Sequence, residues 1–420
     1  MLIQLDIENF RSIKDKVSFS MLASKDKSHE NNLIKEVDAL GKEVNILKTS
    51  AIYGANGSGK TNVLEAFNFI TYLLATSNDM QKGKKIPVDP FKLEREYINK
   101  PSSFDIIFKT KGIKYAYGFS VTETKVVDEY LYSYPNGRQT VIFERENTDE
   151  YTFKNDKERQ TQIKDKFHSD NKLFISTLSV WEYEKAQEPF HWLRNNLRII
   201  DPRSNTAGFT VNKILKNSSI NIRIKNTLKK VIEGIEDIKI NEIDIDPKDV
   251  PLLKFLNEEA KEKILKDNEK LTSVSVFHKM NNSNELVEFD LEDESDGTQK
   301  LFGLLGIFID ILDNGSTLVV DELDVRLHSH LTKFLVELFH DPEYNKNNAQ
   351  LIFSTHDTNL LDQDIFRRDQ IWFTEKKEDK STDLYSLDDF RVRKDAAIEK
   401  GYLQGKYGAI PHLGGGNIWE

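Results

Sequence analysis

The chain has 420 residues, of which 38% are hydrophobic and 30% charged, with a net charge of −10 and no cysteine. That length predicts two lobes or domains, and the apolar content is that of a folded protein, not a disordered one. Disulfides, thiolate chemistry and cysteine-based zinc sites are excluded; no apolar run is long enough to span a bilayer and no signal peptide heads the sequence, so a cytoplasmic location is expected.

At the start, Ile3, Leu5 and Ile7 alternate with Gln4 and Asp6, the pattern of a strand. Residues 50–53 read as a second strand. It runs into Gly54-Ala55-Asn56-Gly57-Ser58-Gly59-Lys60-Thr61, which fits G-x-x-x-x-G-K-[ST] in full. In such a loop the glycines let the backbone wrap so that its N–H groups point at phosphates. Lys60 neutralises the β and γ phosphates, and the Thr61 hydroxyl ligates Mg²⁺. The candidate ATP-binding residues here are Gly54, Asn56, Gly57, Ser58, Gly59, Lys60, Thr61 and Asn62. Residues 61–76 follow as a helix apolar on most faces, hence a buried one.

Short alternating runs at 104–108, 115–121, 126–134 and 140–143 read as an antiparallel meander, with Pro135-Asn136-Gly137 as a turn. Residues 155–270 are polar and mostly helical in pattern, with a strand-like stretch at 238–245 and no sustained heptads. This gives three expected segments: 1–154 and 271–420 as the two parts of an ATPase head, and 155–270 as an inserted, mostly helical lobe. Nine basic residues fall between positions 194 and 230: Arg194, Arg198, Arg203, Lys213, Lys216, Arg223, Lys225, Lys229 and Lys230. Asp201 is the single acid there, so the local charge is +8. An acidic stretch follows, through Glu233, Glu236, Asp237, Glu242, Asp244 and Asp246. The block reads either as a polyanion contact, DNA or RNA, or as a solvated face paired with its acidic neighbour.

Strand patterns return at 272–278 and 286–291. The remainder alternates helix 299–312, strand Thr317–Val320, helix 326–339, strand 351–354 and strand 370–373. That alternation implies an α/β fold with a largely parallel, helix-covered sheet. Thr317–Val320 is an apolar run ending at Asp321-Glu322. A buried strand delivers Asp321 beside the phosphates to hold Mg²⁺, and Glu322 polarises the attacking water as general base. The strand at 351–354 ends in Thr355-His356-Asp357, where His356 reaches the γ-phosphate. The 34 residues between Glu322 and His356 allow one helix and its loops, so both can lie at strand C-termini on one sheet edge, where open α/β sheets bind ligands. Ser295-Asp296-Gly297-Thr298-Gln299 opens a helix: Ser295 can cap it, Gly297 permits close approach, and its N–H groups make an anion site.

With four such motifs in this order, the chain resembles an ABC-type P-loop ATPase head of the RecF/SMC/Rad50 group. More narrowly it is similar to the AAA15/AAA21, RloA-like ATPases of bacterial defence operons. The likeness is carried by Leu5-Asp6-Ile7-Glu8-Asn9-Phe10-Arg11-Ser12-Ile13, by the phosphate loop through Ala66, and by Asp321-Glu322-Leu323-Asp324. Leu327-His328 and the segment Tyr402-Leu403-Gln404-Gly405-Lys406-Tyr407-Gly408-Ala409-Ile410-Pro411 add to it. It covers about residues 1–75 and 290–415; the middle matches by order and length alone. The resemblance implies two heads that sandwich two ATP molecules. Ser295 and Gly297 then contact ATP held by Lys60 of the other subunit, and Asp324 sits in the loop that couples the two sites. Asp296 stands where transporter signatures usually have glycine, which favours this group over transporters. The glutamine-bearing loop of the family is not placed; Gln81 lacks a convincing context.

The resemblance also implies a role in antiviral or abortive-infection defence, as a regulator of a separate effector protein such as a nuclease. About sixty residues follow His356, well short of an added C-terminal nuclease domain. A DNA-repair or chromosome-structure ATPase that clamps DNA itself is the competing expectation, supported by the basic block. A transporter ATPase subunit is disfavoured by the large insertion.

Overall fold

The computed structural model describes residues 1–37, 41–201, 205–244, 270–390 and 397–411. Contacts divide the chain into two compact units. The first is Met1–Pro202 with Ile311–Val325 and Thr332–Glu420; the second is Arg203–Asp310 with Arg326–Leu331.

The first unit holds two large sheets. One has six strands in the order Leu197–Ile200, Thr317–Val320, Gln350–Ser354, Thr49–Gly54, Ile371–Lys376 and Thr382–Ser386. All neighbours are parallel except the last pair. The central strands are buried throughout, as parallel strands covered on both faces must be. The α/β class is thus observed. The second sheet has seven antiparallel strands, with Leu2–Glu8 paired between Val17–Ser20 and Ser102–Thr110. Ile113–Val121, Val126–Tyr134, Thr140–Glu146 and Glu150–Thr152 continue it as a meander, as the alternating runs predict.

Helix Lys60–Thr76 explains why both sheets are needed. Val63, Leu64, Ala66, Phe67, Phe69, Ile70, Leu73 and Leu74 are all buried, and they cover more than one face of the helix. Phe69 meets Phe10, Phe104 and Phe119 of the antiparallel side, and Phe67 meets Phe19. These residues belong to one hydrophobic cluster with Ile52, Val319 and Ile352 of the parallel sheet. Each large side chain so buried contributes roughly 1.5–3 kcal/mol. The two sheets are also tied by one amide. Buried Gln350 donates to the carbonyls of Leu2 and Leu47 at 3.0 and 2.9 Å, while its oxygen accepts from the Leu2 N–H at 2.6 Å.

Helices Lys157–Phe167, Phe174–Val180 and Glu184–His191 follow the meander. A fully buried acid anchors the second of them. Glu129 accepts from the backbone N–H groups of Phe174 and Ile175 at 2.5 and 3.0 Å, and from the Tyr117 hydroxyl at 3.1 Å. Arg145 lies 4.0 Å away and is itself held by the carbonyls of Thr148, Lys172 and Asp170. Residues 155–270 carry a mostly helical pattern, yet Leu197–Ile200 within them is a strand at the edge of the parallel sheet. Arg198 interrupts its apolar run, and the sequence around it is polar and basic, so no strand pattern shows.

Within the second unit, helices Ala207–Lys216 and Ser218–Val231 precede a three-stranded antiparallel sheet of Ile235–Asp244, Lys270–Lys279 and Leu286–Asp290. Helix Asp296–Asn314 begins in this unit. It approaches Ala207–Lys216 closely enough that a Cβ on Gly303 or Gly306 would strike Thr206 or Thr210.

Replacing Phe67 by alanine is expected to remove a fully buried ring from the helix and destabilise the first unit by about 3–5 kcal/mol. A denaturant titration measures this; a loss under about 1 kcal/mol would show that the helix is not held by both sheets.

Candidate functional site

Parallel register places the ends of three strands side by side. Val320 pairs with Phe353, and Ser354 with Ile52. Asp321, Thr355 and Gly54 therefore leave the sheet at the same edge, and helix Lys60–Thr76 starts there. The phosphate loop is built against two threonines beyond the motif. A Cβ on Gly54 would lie 2.5 Å from the Thr374 carbonyl, and one on Gly59, at φ +116°, would collide with Thr382. The Ser58 hydroxyl contacts that of Thr374 at 2.6 Å, and the Thr382 hydroxyl donates to the Ser58 carbonyl at 2.8 Å. Gly57, at φ +77°, has open space where its side chain would be. A tight loop with one open face and a helix N-terminus behind it is an anion cradle.

Lys60 is turned back along this loop, donating to the carbonyls of Gly54 and Ala55 at 2.8 and 3.3 Å. Burial lowers its pKa, while Asp321, Glu322 and Asp324 oppose that shift. The Thr61 hydroxyl donates to Asp321 Oδ2 at 2.8 Å, and the Ser354 hydroxyl donates to Asp321 Oδ1 at 2.5 Å. Glu322 has φ +53°, unusual for a residue with a side chain, and its N–H donates to Ser354 Oγ at 2.7 Å. The Asp324 carboxylate accepts from the His356 N–H at 3.3 and 3.4 Å. The pKa of His356 is lowered, first by desolvation and then by Lys60, against the pull of Asp324, Glu322 and Asp321. Asn62 donates to Ser12 Oγ at 2.5 Å, and Ser12 contacts Thr382 at 2.7 Å, so the first turn of the helix is fastened to the opening strand region. Asn56 is exposed at the tip of the loop.

Gly54, Gly57, Ser58, Gly59, Lys60, Thr61, Asn62, Asp321, Glu322, Asp324 and His356 are thus brought into one neighbourhood of the first unit. Ser12, Ser354, Thr374 and Thr382 complete it. Sequence reasoning assigned those four no role, because a lone hydroxyl residue carries no spacing signal until the register brings it home. Gln81 is exposed, and its carbonyl accepts from Asn171 at 2.9 Å.

Ser295 and Gly297 lie in the second unit. The Ser295 hydroxyl accepts from the Thr298 N–H at 3.2 Å, as a helix cap does. Gln299 donates to the Glu294 carbonyl at 2.8 Å, and His278 meets Glu294 at 2.6 Å. A Cβ on Gly297 would lie 3.1 Å from the Arg326 carbonyl. Within the basic block, Lys213 pairs with Asp310, Lys225 with Asp237 and Lys229 with Glu236, at 2.6, 2.8 and 2.5 Å. Pairing with the acidic stretch that follows is therefore observed for Lys225 and Lys229, while Lys213 pairs with a more distant acid. Arg203 and Asp246 lie outside the described residues.

A family model described as "AAA domain, putative AbiEii toxin, Type IV TA system" matches residues 50–362. The chain belongs to this AAA-domain family. It is a P-loop ATPase by family and by loop geometry. No curated protein matches it. Among solved structures it is similar to an SmcHead bound to the C-winged helix domain of ScpA. The identity is 15%, over 92% of this chain and 97% of that chain, with a TM-score of 0.39. It is also similar to cbiO1 from Clostridium perfringens, part of the ABC transporter complex cbiONQ. There the identity is 11%, over 97% of this chain and 98% of that chain, with a TM-score of 0.30. Both TM-scores fall below 0.5, so the assignment of this AAA-domain ATPase rests on its family and its loop. No helix among the described residues is long and apolar enough to cross a membrane.

In the nucleotide-free protein, the His356 imidazole is expected to titrate below 6.5 and to be neutral at pH 7. Lys60→Ala removes a nearby cation and should raise that value. Because the folded-state pKa is the lower one, stability from this group is complete above pH 6.5 and declines as the pH falls through the folded value. An NMR titration of the imidazole measures the shift; a pKa above 6.5, or a further fall in Lys60→Ala, contradicts this electrostatic reading.

Proposed function

We propose that the chain is an ABC-type ATPase that closes as a dimer around ATP and regulates a separate effector, in antiphage or abortive-infection defence in the cytoplasm. The observation that carries the ATPase chemistry is the Thr61–Asp321 contact at 2.8 Å beneath an open glycine-rich cradle. ATP and Mg²⁺ fit these residues. The cradle is free of side chains where phosphates approach, and a hydroxyl and a carboxylate stand together at its floor. Thr61 and Asp321 would hold Mg²⁺, which when bound neutralises charge between the phosphates. Gly54 through Asn62 bind the phosphates through the loop N–H groups, and Lys60 leaves its two carbonyl partners for the terminal phosphates. Glu322 orients the attacking water and accepts its proton, and His356 hydrogen-bonds the γ-phosphate in its neutral form.

Two features support the dimer. Ser295 and Gly297 open a long helix, Asp296–Asn314, whose first-turn N–H groups suit an anion. The four motifs also follow the order found in heads that pair through such a segment, with Asp324 beside His356 as the coupling residue. The defence role is supported by the family description, which names a type IV toxin–antitoxin system. The effector, such as a nuclease, is part of this proposal. The ion pairs of Lys213, Lys225 and Lys229 leave less of the basic block for a direct nucleic-acid contact.

Glu322→Gln is expected to bind ATP, hydrolyse it at least about a hundredfold more slowly, and accumulate as a nucleotide-bound dimer. Adding Ser295→Arg should abolish that dimer while ATP binding persists. Light scattering with and without ATP reads both. Glu322→Gln turning over at the normal rate would sink the catalytic assignment, and a dimer unaffected by Ser295→Arg would sink the composite site.

A further inference from the structure

Ser354 ends the strand Gln350–Ser354 and is fully buried. A hydroxyl has one proton to give and lone pairs to receive with. Here the proton goes to Asp321 Oδ1 at 2.5 Å, and a lone pair takes the Glu322 N–H at 2.7 Å. The Ser354 carbonyl accepts the next amide, Leu323 N–H, at 3.1 Å. One residue thus grips three consecutive positions of the acidic motif. Glu322 between them has φ +53°, a backbone conformation that residues with side chains adopt only when their surroundings enforce it. Asp321 has its second oxygen on Thr61 at 2.8 Å, so the chain of contacts runs Thr61, Asp321, Ser354, Glu322 without a gap.

We infer that Ser354 is a positioning residue for the hydrolytic site. Its hydroxyl aims the Asp321 carboxylate toward Thr61 and locks the Glu322 backbone, joining the phosphate-loop side of the site to the water-activating side. The inference rests on the roles proposed above for Asp321 and Glu322. A serine that merely filled space would be replaceable by any side chain of its shape; one that orients the site would not.

Thr and Val are nearly isosteric and differ at this position by the hydroxyl alone, so the pair Ser354→Thr and Ser354→Val isolates it. The threonine variant is expected to retain most hydrolysis, and the valine variant to fall about ten- to a hundredfold below it in kcat. A second reading needs no turnover. The affinity of a fluorescent non-hydrolysable ATP analogue is measured with and without Mg²⁺. Without Mg²⁺ both variants should bind alike; with Mg²⁺ binding should tighten several-fold more for threonine. Should the extra methyl prevent folding, Ser354→Ala against the unaltered protein gives the same two comparisons. Equal kcat and an equal effect of Mg²⁺ in the hydroxyl-bearing and hydroxyl-free proteins would overturn the inference. Glu322→Gln, run alongside, separates the two levels. If it is inactive while the Ser354 pair is indistinguishable, only the role of Ser354 fails; if it hydrolyses normally, the reading of the site itself fails.

Discussion

Helix Lys60–Thr76 is apolar on too many faces to lie on a surface, and the rest of the first unit follows from covering it. One sheet cannot do so. The parallel sheet takes one side and the antiparallel sheet the other, and the aromatic residues Phe10, Phe19, Phe104 and Phe119 close around Phe67 and Phe69. A helix clamped in this way has a fixed N-terminus. Gly59 and Lys60 at that end are held against Thr382 and the Gly54 carbonyl, so the phosphate loop is preformed by burial some distance from it.

The same rigidity makes a chain of short polar contacts useful at the sheet edge. Thr61, Asp321, Ser354 and Glu322 come from three separate segments, and the parallel register lets each contact the next within 3 Å. Asp324 and His356 sit beside them, linked through a backbone N–H. The site therefore has two parts with different origins. The loop is local and would form wherever its strand and helix meet. The acidic half is non-local and depends on strand order.

This division also explains what was legible in the sequence. Gly54 through Thr61 carries its meaning in consecutive residues, and Asp321-Glu322 and His356 are marked by the apolar strands they end. The long alternating runs between positions 104 and 143 showed their period and form the meander. Ser354, Thr374 and Thr382 were silent, because their partners lie 32 or more residues away and a single hydroxyl has no pattern of its own. Leu197–Ile200 was silent because Arg198 interrupts its apolar run and polar, basic residues flank it. Glu129 and Arg145 were also illegible: charged residues in a meander read as solvent-facing, yet both are buried and bonded on every side. The sequence of the basic block between 194 and 230 fits either a polyanion contact or a paired face, and three of its lysines are paired with acids.

The central claim is that each ATP is held by Lys60 of one subunit and completed by Ser295 of another. Mixing two inactive proteins tests it directly. A Lys60→Ala chain retains Ser295, and a Ser295→Arg chain retains Lys60, so a mixed dimer contains one intact composite site. Hydrolysis measured after mixing is predicted to rise well above that of either protein alone. No recovery, in a mixture where mixed dimers are demonstrated, would contradict a site shared between subunits.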